Sequence, residues 1–282
     1  MNGKLASIFL SMALLASGQS ASAYVLVTDV DDTIKVTHVR DVVDRTIRFL
    51  TEPKSFAGME LLYKRMLSSQ PHPEFAVVSG APRAVRVSLQ WFLSAFGFPA
   101  PTYLRMREIF EDTALFKINA ISNLFRFNER DGAVVVMVGD DTEQDPFVYD
   151  NISKNYYIEP TVYIRRVSNR GIGAGAQYFD SAADIAVLEF LAGRLEPQDV
   201  YDVYKSVLNE AELSRLFVPG EYCPGEQSPR LSATVSRTFL EPAMIKGLID
   251  IEDHLRRVCR GTAEWFRLQS EISTPRPLRS VE

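Results

Sequence analysis

Short apolar runs separated by longer amphipathic stretches organise the chain from Tyr24 onward. Tyr24-Val25-Leu26-Val27-Thr28, Phe75-Ala76-Val77-Val78, Ala133–Val138 and Thr161–Ile164 are near-continuous apolar runs of strand length, and Thr102–Met106 reads as a further strand. Between them, Val42–Leu50, Gly58–Leu67, Pro82–Phe96, Thr113–Phe125 and Gln144–Lys154 carry helical periodicity. In the second of these, Leu61, Leu62, Met66 and Leu67 fall along one side, and Pro82 suits the first turn of the third. Strands that are apolar on both faces and alternate with helices predict an α/β fold, a parallel sheet covered on both sides.

Past about residue 190 the pattern changes. Pro197–Leu213 and Pro242–Glu271 read as helices. Between them, Val218–Arg230 holds Pro219, Gly220, Pro224, Gly225 and Pro229 and reads as a loop. Ser273-Thr274-Pro275-Arg276-Pro277 reads as a frayed tail. The expected organisation is an α/β domain over 24–190 and a helical C-terminal extension over 191–282.

The first residues have the composition of a targeting segment. Lys4 is a short positive start, Leu5 to Ala16 is a compact apolar stretch, and Ala21-Ser22-Ala23 is a cleavage-type site. The apolar stretch is too short to span a bilayer comfortably. A signal peptide over 1–23 is expected, with cleavage after Ala23 and an exported, periplasmic or secreted product that begins at Tyr24 and has no transmembrane segment.

Composition narrows the partners. The 282 residues are 46% hydrophobic and 24% charged, as in an ordinary soluble globular protein, with a net charge of -5. No basic block interrupts the chain, so nucleic acid is not an expected partner. In an oxidising compartment the two cysteines, Cys223 and Cys259, can pair; two free buried thiols are the alternative.

The candidate chemistry lies at the ends of the apolar runs. Asp29-Val30-Asp31-Asp32-Thr33 follows the first, Ser79-Gly80 the second, and Gly139-Asp140-Asp141 a later one. Ligands of parallel sheets bind beyond the carboxyl ends of the strands, so three such ends converge on one place. Alternate residues of an extended segment share a face, which lets Asp29 and Asp31 enter one cavity. One carboxylate can attack phosphorus while the other handles a proton. Taken singly, Ser79 is a turn residue, Lys117 a solvated helix position and Asp140 a helix cap. Gly171–Gly175 lacks the strand and helix of a dinucleotide site, and the scattered His38, His72 and His254 are not assigned to metal.

In order, Asp29-x-Asp31-x-Thr33, Ser79, Lys117 and Gly139-Asp140-x4-Asp145 resemble the four motifs of haloacid-dehalogenase superfamily phosphotransferases. Asp29–Thr37, Val78–Pro82, Phe116-Lys117, Gly139–Pro146 and Tyr163–Val167 resemble more closely the catalytic domain of the actin-patch-associated phosphatidate phosphatase family, over about residues 24–190. Asp141 and Thr142 stand where that family suggests Ser-Gly, and Arg166 where it suggests Asp.

The resemblance implies a doubly wound parallel sheet with a small or absent cap and a Mg²⁺-dependent phosphomonoester hydrolase. Asp29 would be the nucleophile and Asp31 the general acid and base. Ser79 and Lys117 would hold the phosphoryl group. Asp29, Asp31 through its carbonyl and Asp140 would hold the metal, and Asp145 would hold a metal-bound water or be a ligand itself. Thr33, Gly80, Lys35 and Arg83 would meet substrate, and Arg86 and Arg165 are further candidate cations. Asp32, Asp141 and Glu143 are left as supporting or solvated groups. The intervals 33–75 and 79–117 have no room for a large cap domain, and an open site suits a bulky phosphomonoester such as a lipid or a macromolecule; a lipid phosphate at a membrane surface is the expected substrate. The alternatives are an exported broad-range phosphatase for soluble phosphomonoesters and a non-catalytic secreted binding domain.

Overall fold

The computed structural model describes residues 23–37, 53–126, 132–156, 158–168, 171–173, 175–210, 215–216, 229–235 and 240–273, with side chains described as far as Gly261. Its centre is a six-stranded parallel sheet. The strands are β1 (Tyr24–Thr28), β2 (Pro73–Pro82), β3 (Tyr103–Arg107), β4 (Val134–Asp140), β5 (Thr161–Arg165) and β6 (Ala176–Phe179). The helices are α1 (Met59–Ser68), α2 (Arg86–Ala95), α3 (Thr113–Arg126), α4 (Asp145–Tyr156), α5 (Ala182–Leu191), α6 (Pro197–Leu208), the short α7 (Leu231–Thr234) and the long α8 (Pro242–Ser273).

The strand order is β3-β2-β1-β4-β5-β6. The chain winds outward from β1 to β3, returns to set β4 beside β1, and winds out the other way. The reversal between β1 and β4 opens the crevice in which sheets of this kind bind ligands. Register puts Thr28 beside Val138, and Asp29 donates its amide to the Val138 carbonyl at 2.9 Å. Asp29 and Asp140 therefore leave the sheet side by side.

Both faces are covered, as the apolar strands require. Phe116, Ala120, Ile121 and Leu124 of α3 and Val148, Tyr149 and Ile152 of α4 pack on one face against Val25, Val27 and Met137. On the other, Leu26, Val136 and Val138 pack with α1, α2, α5, α6 and α8 in one continuous core. The elements between the first motifs are part of this core. Met59, Leu62, Tyr63 and Met66 of α1 are buried in it, as are Leu89 and Phe92 of α2. The helical pattern at Val42–Leu50 lies outside the described residues.

Several elements differ from the sequence pattern. β2 extends past Val78 to Pro82 because its pairing with β3 shifts register between Ser79 and Pro82. The helix expected from Pro82 starts with a 3-10 turn, Arg83–Val85, before α2. The edge strand β6 is only four residues and mostly half-exposed, so it shows no clean alternation. The first six residues of α5 are all buried, Asp184 included, so it lacks a polar face to mark its period.

The C-terminal region is helical. Gly247 of α8 faces the Tyr204 ring of α6 so closely that a Cβ there would sit 2.5 Å from it. Cys259 on α8 is disulfide-bonded. The chain's other cysteine, Cys223, the leader, the Pro/Gly-rich stretch and the extreme C-terminus lie outside the described residues, apart from Ala23, Pro229 and Arg230. No helix of the described residues is long and apolar enough to cross a membrane.

Candidate active site

Each site residue is delivered by the end of a strand or the start of a helix. β1 ends and presents Asp29, β4 ends on Asp140, α4 begins with Asp145, and the second turn of α3 carries Lys117. All four are buried. The Lys117 ammonium lies 2.8 Å from Asp29 Oδ1 and 2.5 Å from Asp145 Oδ1, with Glu143 at 3.6 Å. Asp145 Oδ2 also accepts the Asp140 amide at 3.3 Å. One lysine therefore faces a surplus of acidic groups in a place with little water.

That surplus sets the electrostatics. Burial pushes the Asp29 carboxyl well above the usual range; Lys117 opposes this, and Asp145, Asp140 and Glu143 add to it. Asp140 is raised well above its ordinary value by burial and then by Asp145, against Lys117. Asp145 is also raised by burial, with Lys117 pulling the other way. Burial would lower the Lys117 pKa, but Asp145, Asp29 and Glu143 outweigh it and hold the ammonium firmly charged.

Carboxylate oxygens of Asp29, Asp140 and Asp145 all lie within 4.8 Å of one another. A hard divalent cation takes such oxygens as ligands and removes the repulsion that raises their pKa values. The donor set and its charge surplus fit a metal ion.

The loop after β1 is braced from several directions. Thr33 Oγ1 reaches Asp29 Oδ2 at 3.5 Å and Asp140 Oδ2 at 3.4 Å, so it props the carboxylates. Asp32 adopts a left-handed φ of 53°, which Asp tolerates better than most residues. Its carboxylate accepts the Thr37 amide at 2.9 Å and the Thr37 hydroxyl at 3.1 Å, closing the turn. Asp31 is buried, and its charge acts on Lys35. Thr142 donates its amide to Asp140 Oδ1 at 2.6 Å, and its hydroxyl bonds the same oxygen.

Ser79 and Gly80 form the facing wall. Ser79 Oγ accepts the Ala81 amide at 3.1 Å. A Cβ on Gly80 would come within 2.9 Å of Thr113 and 3.1 Å of Glu143, so a side chain here would have to push both of these back.

The candidate cations separate. Arg83 is exposed and pairs with Glu108 at 3.4 Å, whereas Arg86 is half-buried. Lys35 is buried rather than solvent-facing, 5.6 Å from the Phe92 ring centre, and burial lowers its pKa to about 8 against the pull of Asp31. Arg165 is also buried. It donates to the Thr33 carbonyl at 3.0 Å and the Asp180 carbonyl at 3.2 Å while lying over the Phe56 and Phe179 rings. Arg165 thus supports the loop through the Thr33 carbonyl, while Lys35 belongs to the loop itself and packs against Phe92.

Sequence reasoning left Asp141 and Glu143 as supporting or solvated groups and noted Thr142 only as a departure from the family pattern. Asp141 turns away from the crevice and accepts the Val167 and Ser168 amides at 2.8 and 2.6 Å, tying the β4 end to the β5 end. Glu143 faces Lys117. Their place between Asp140 and Asp145 is the one sequence signal for them.

The family model for "Phosphatidate phosphatase APP1, catalytic domain" matches residues 24–166, just over half of the chain. The matched stretch runs from β1 to the end of β5 and includes Asp29, Ser79, Lys117, Asp140 and Asp145. Among curated proteins no individual sequence matches the chain.

Proposed function

The chain belongs to the phosphatidate phosphatase APP1 family and is a phosphatase, and from that premise we propose that it cleaves phosphatidate or a closely related lipid phosphate. The observation that carries the chemistry is the buried Asp29 carboxylate at the end of β1, held 2.8 Å from Lys117 beside Asp140 and Asp145.

In this reading Asp29 attacks phosphorus and forms an aspartyl-phosphate, which splits one difficult displacement into two easier ones. Asp31 gives a proton to the departing glycerol oxygen. It then takes one from the water that attacks the aspartyl-phosphate and releases inorganic phosphate. Lys117 fixes the attacking carboxylate through its contact with Oδ1 and offers positive charge to the phosphoryl oxygens. Ser79 donates its hydroxyl proton to one of those oxygens, and the tight Gly80 turn sets its approach.

Asp29, Asp140, Asp145 and the Asp31 carbonyl would hold Mg²⁺. When bound, the ion supplies the charge neutralisation that lets a carboxylate approach a phosphate dianion. Thr33 and Thr142 orient the carboxylates for that purpose.

The leader-like first 23 residues support an exported enzyme, periplasmic or secreted, processed near Ala23. Residues 24–190 would form the catalytic unit and 191–282 a helical extension.

Phosphate release from purified protein, measured on phosphatidate and on soluble phosphomonoesters with and without Mg²⁺, tests the assignment. A clear preference for phosphatidate is expected. Equal turnover of soluble esters would instead indicate a broad-range phosphatase, and no release from any ester would indicate a binding domain.

A further inference from the structure

Large apolar side chains at the carboxyl edge of the sheet face solvent. Val87, Leu115 and Phe147 stand in the first turns of α2, α3 and α4, and each is more than half exposed. In a parallel sheet, helices that follow strands begin at the edge where Asp29 and Asp140 emerge. Leu115 is two residues from Lys117, and Phe147 is two residues from Asp145. The loop between β3 and α3 extends the feature: Ile109 is 59% exposed and Phe110 100%.

This loop is internally bonded. Arg107 Nη1 donates to the carbonyls of Glu108, Ile109 and Glu111 at 3.3, 2.9 and 3.2 Å. The Glu108 amide reaches the Glu111 carboxylate at 3.1 Å, and the Leu115 amide reaches Asp112 Oδ1 at 2.9 Å. Arg107 Nε also bonds the Gly80 carbonyl, next to Ser79. One guanidinium thus ties the apolar tip to the wall of the active site and occupies three carbonyls of the loop.

The Ile109–Phe110 tip is suited to an apolar medium, while the exposed carboxylates of Glu108, Glu111 and Asp112 stay at the level of the headgroups. A lipid layer penalises unsatisfied backbone groups, and here the carbonyls beneath the tip already have donors. Aromatic and aliphatic side chains at a protein tip gain free energy by leaving water for the headgroup–acyl boundary. The substrate reading supplies the occupant, because phosphatidate presents its phosphate in the headgroup plane and keeps its chains in the bilayer.

We propose that the Ile109–Phe110 tip inserts into a lipid surface and sets the Asp29 crevice against the headgroup plane; this rests on the lipid-phosphate reading above. Glu108, Glu111 and Asp112 flank the tip, so an anionic surface is held by apolar insertion rather than by charge attraction.

The test compares the full chain with its Ile109→Ser/Phe110→Ser double variant. Flotation with phosphatidylcholine vesicles carrying a minor fraction of phosphatidate reads binding. Phosphate release is followed on those vesicles and on dispersed short-chain phosphatidate. The variant should lose vesicle affinity and vesicular turnover by roughly tenfold or more. Its turnover of the dispersed substrate should stay within about twofold, as for a benign surface change. Undiminished flotation of the variant overturns the proposal, as does an equal loss on both substrates. A wild-type chain that does not float overturns it too. Tip-dependent flotation of a chain inert toward phosphatidate would keep the insertion and remove the substrate assignment. Phosphatidate turnover indifferent to the tip would do the reverse.

Discussion

Gly139 lies so close to Asp145 that a Cβ on it would sit 2.6 Å from Oδ2 and 2.7 Å from the Asp145 Cβ. The second contact is with the root of the side chain, so Asp145 cannot swing aside without moving α4. Gly139→Ala should therefore displace the carboxylate that holds Lys117. Loss of such a supporting contact typically weakens a metal site by about 10–100-fold. A Mg²⁺ titration of activity, run beside a thermal melt, should show a raised metal requirement in a folded protein.

Asp29→Asn should remove turnover, by about 10⁴-fold or more, since the amide is no nucleophile. Stability should hold or rise. Burial and the neighbouring Asp145, Asp140 and Glu143 make an ionised Asp29 costly in the folded state, and the near-isosteric amide removes that charge. Phosphate release and melting without divalent cation check both halves. Substantial activity in a folded variant would remove Asp29 from its role.

Asp31→Asn leaves the nucleophile in place and should slow both chemical steps, by about 10²–10⁴-fold as usual for general acid–base help. Burst kinetics would separate phosphorylation from dephosphorylation. A change of less than a few-fold would leave Asp31 as a loop residue alone.

Chelation should silence the enzyme, and Mg²⁺ should restore it. Ca²⁺ should restore it poorly, because its longer and looser coordination misplaces the carboxylates. Mg²⁺ should also raise the melting temperature, since a ligand of the native state stabilises by mass action. That rise should shrink in Asp140→Asn. Full activity in excess EDTA would contradict the metal site.

Asp184, whose charge acts on the buried Arg165, carries a pH effect. Burial and then Asp180 push its carboxyl up to about 7, against the Asp180 and Ser181 amides that it accepts at 2.8 and 2.9 Å. A raised folded-state pKa favours the protonated form, so its stabilising contribution is full below the unfolded value of 3.8 and is lost as pH rises through about 7. At 1.36 kcal/mol per unit the whole effect is on the order of 4 kcal/mol. Asp184→Asn keeps an acceptor for the cap and removes the charge. Urea unfolding should show the variant gaining on the wild type by about 3 kcal/mol between pH 5 and pH 8, the part of the effect that falls in that window. No difference in slope would mean that Asp184 titrates as an exposed carboxyl does.

What the sequence discloses follows from which interactions leave a local mark. The strands β1 and β4 are readable because burial on both faces makes Tyr24–Thr28 and Val134–Val138 apolar runs. Asp29 and Asp140 are readable because carboxylates at the ends of such runs are costly without a use. β6 and α5 leave no comparable mark: one is short and half-exposed at the sheet edge, the other apolar nearly all round. Lys35 and Arg165 look like surface cations in a one-dimensional string. Only the fold brings Phe92 beneath the first and stacks Phe56 and Phe179 on the second. Arg107 is likewise silent in sequence, since its contacts with Gly80 and the 108–111 carbonyls need the loop to close first.

The shared core means that the hydrolase is not a portable module. Val203, Tyr204 and Val207 of α6 and Met244, Leu248, Ile251 and Leu255 of α8 lie in one cluster with Leu26 of β1 and Val136 of β4. A minimal version cut at residue 190 would bare an apolar wall on the same side of the sheet that carries the central strands. We expect such a fragment to clump rather than work at reduced efficiency, and adding back the missing helices as a separate chain to rescue it. Grafting the last third of this protein onto another hydrolase would face the same obstacle, because the seam between the two parts runs through the interior.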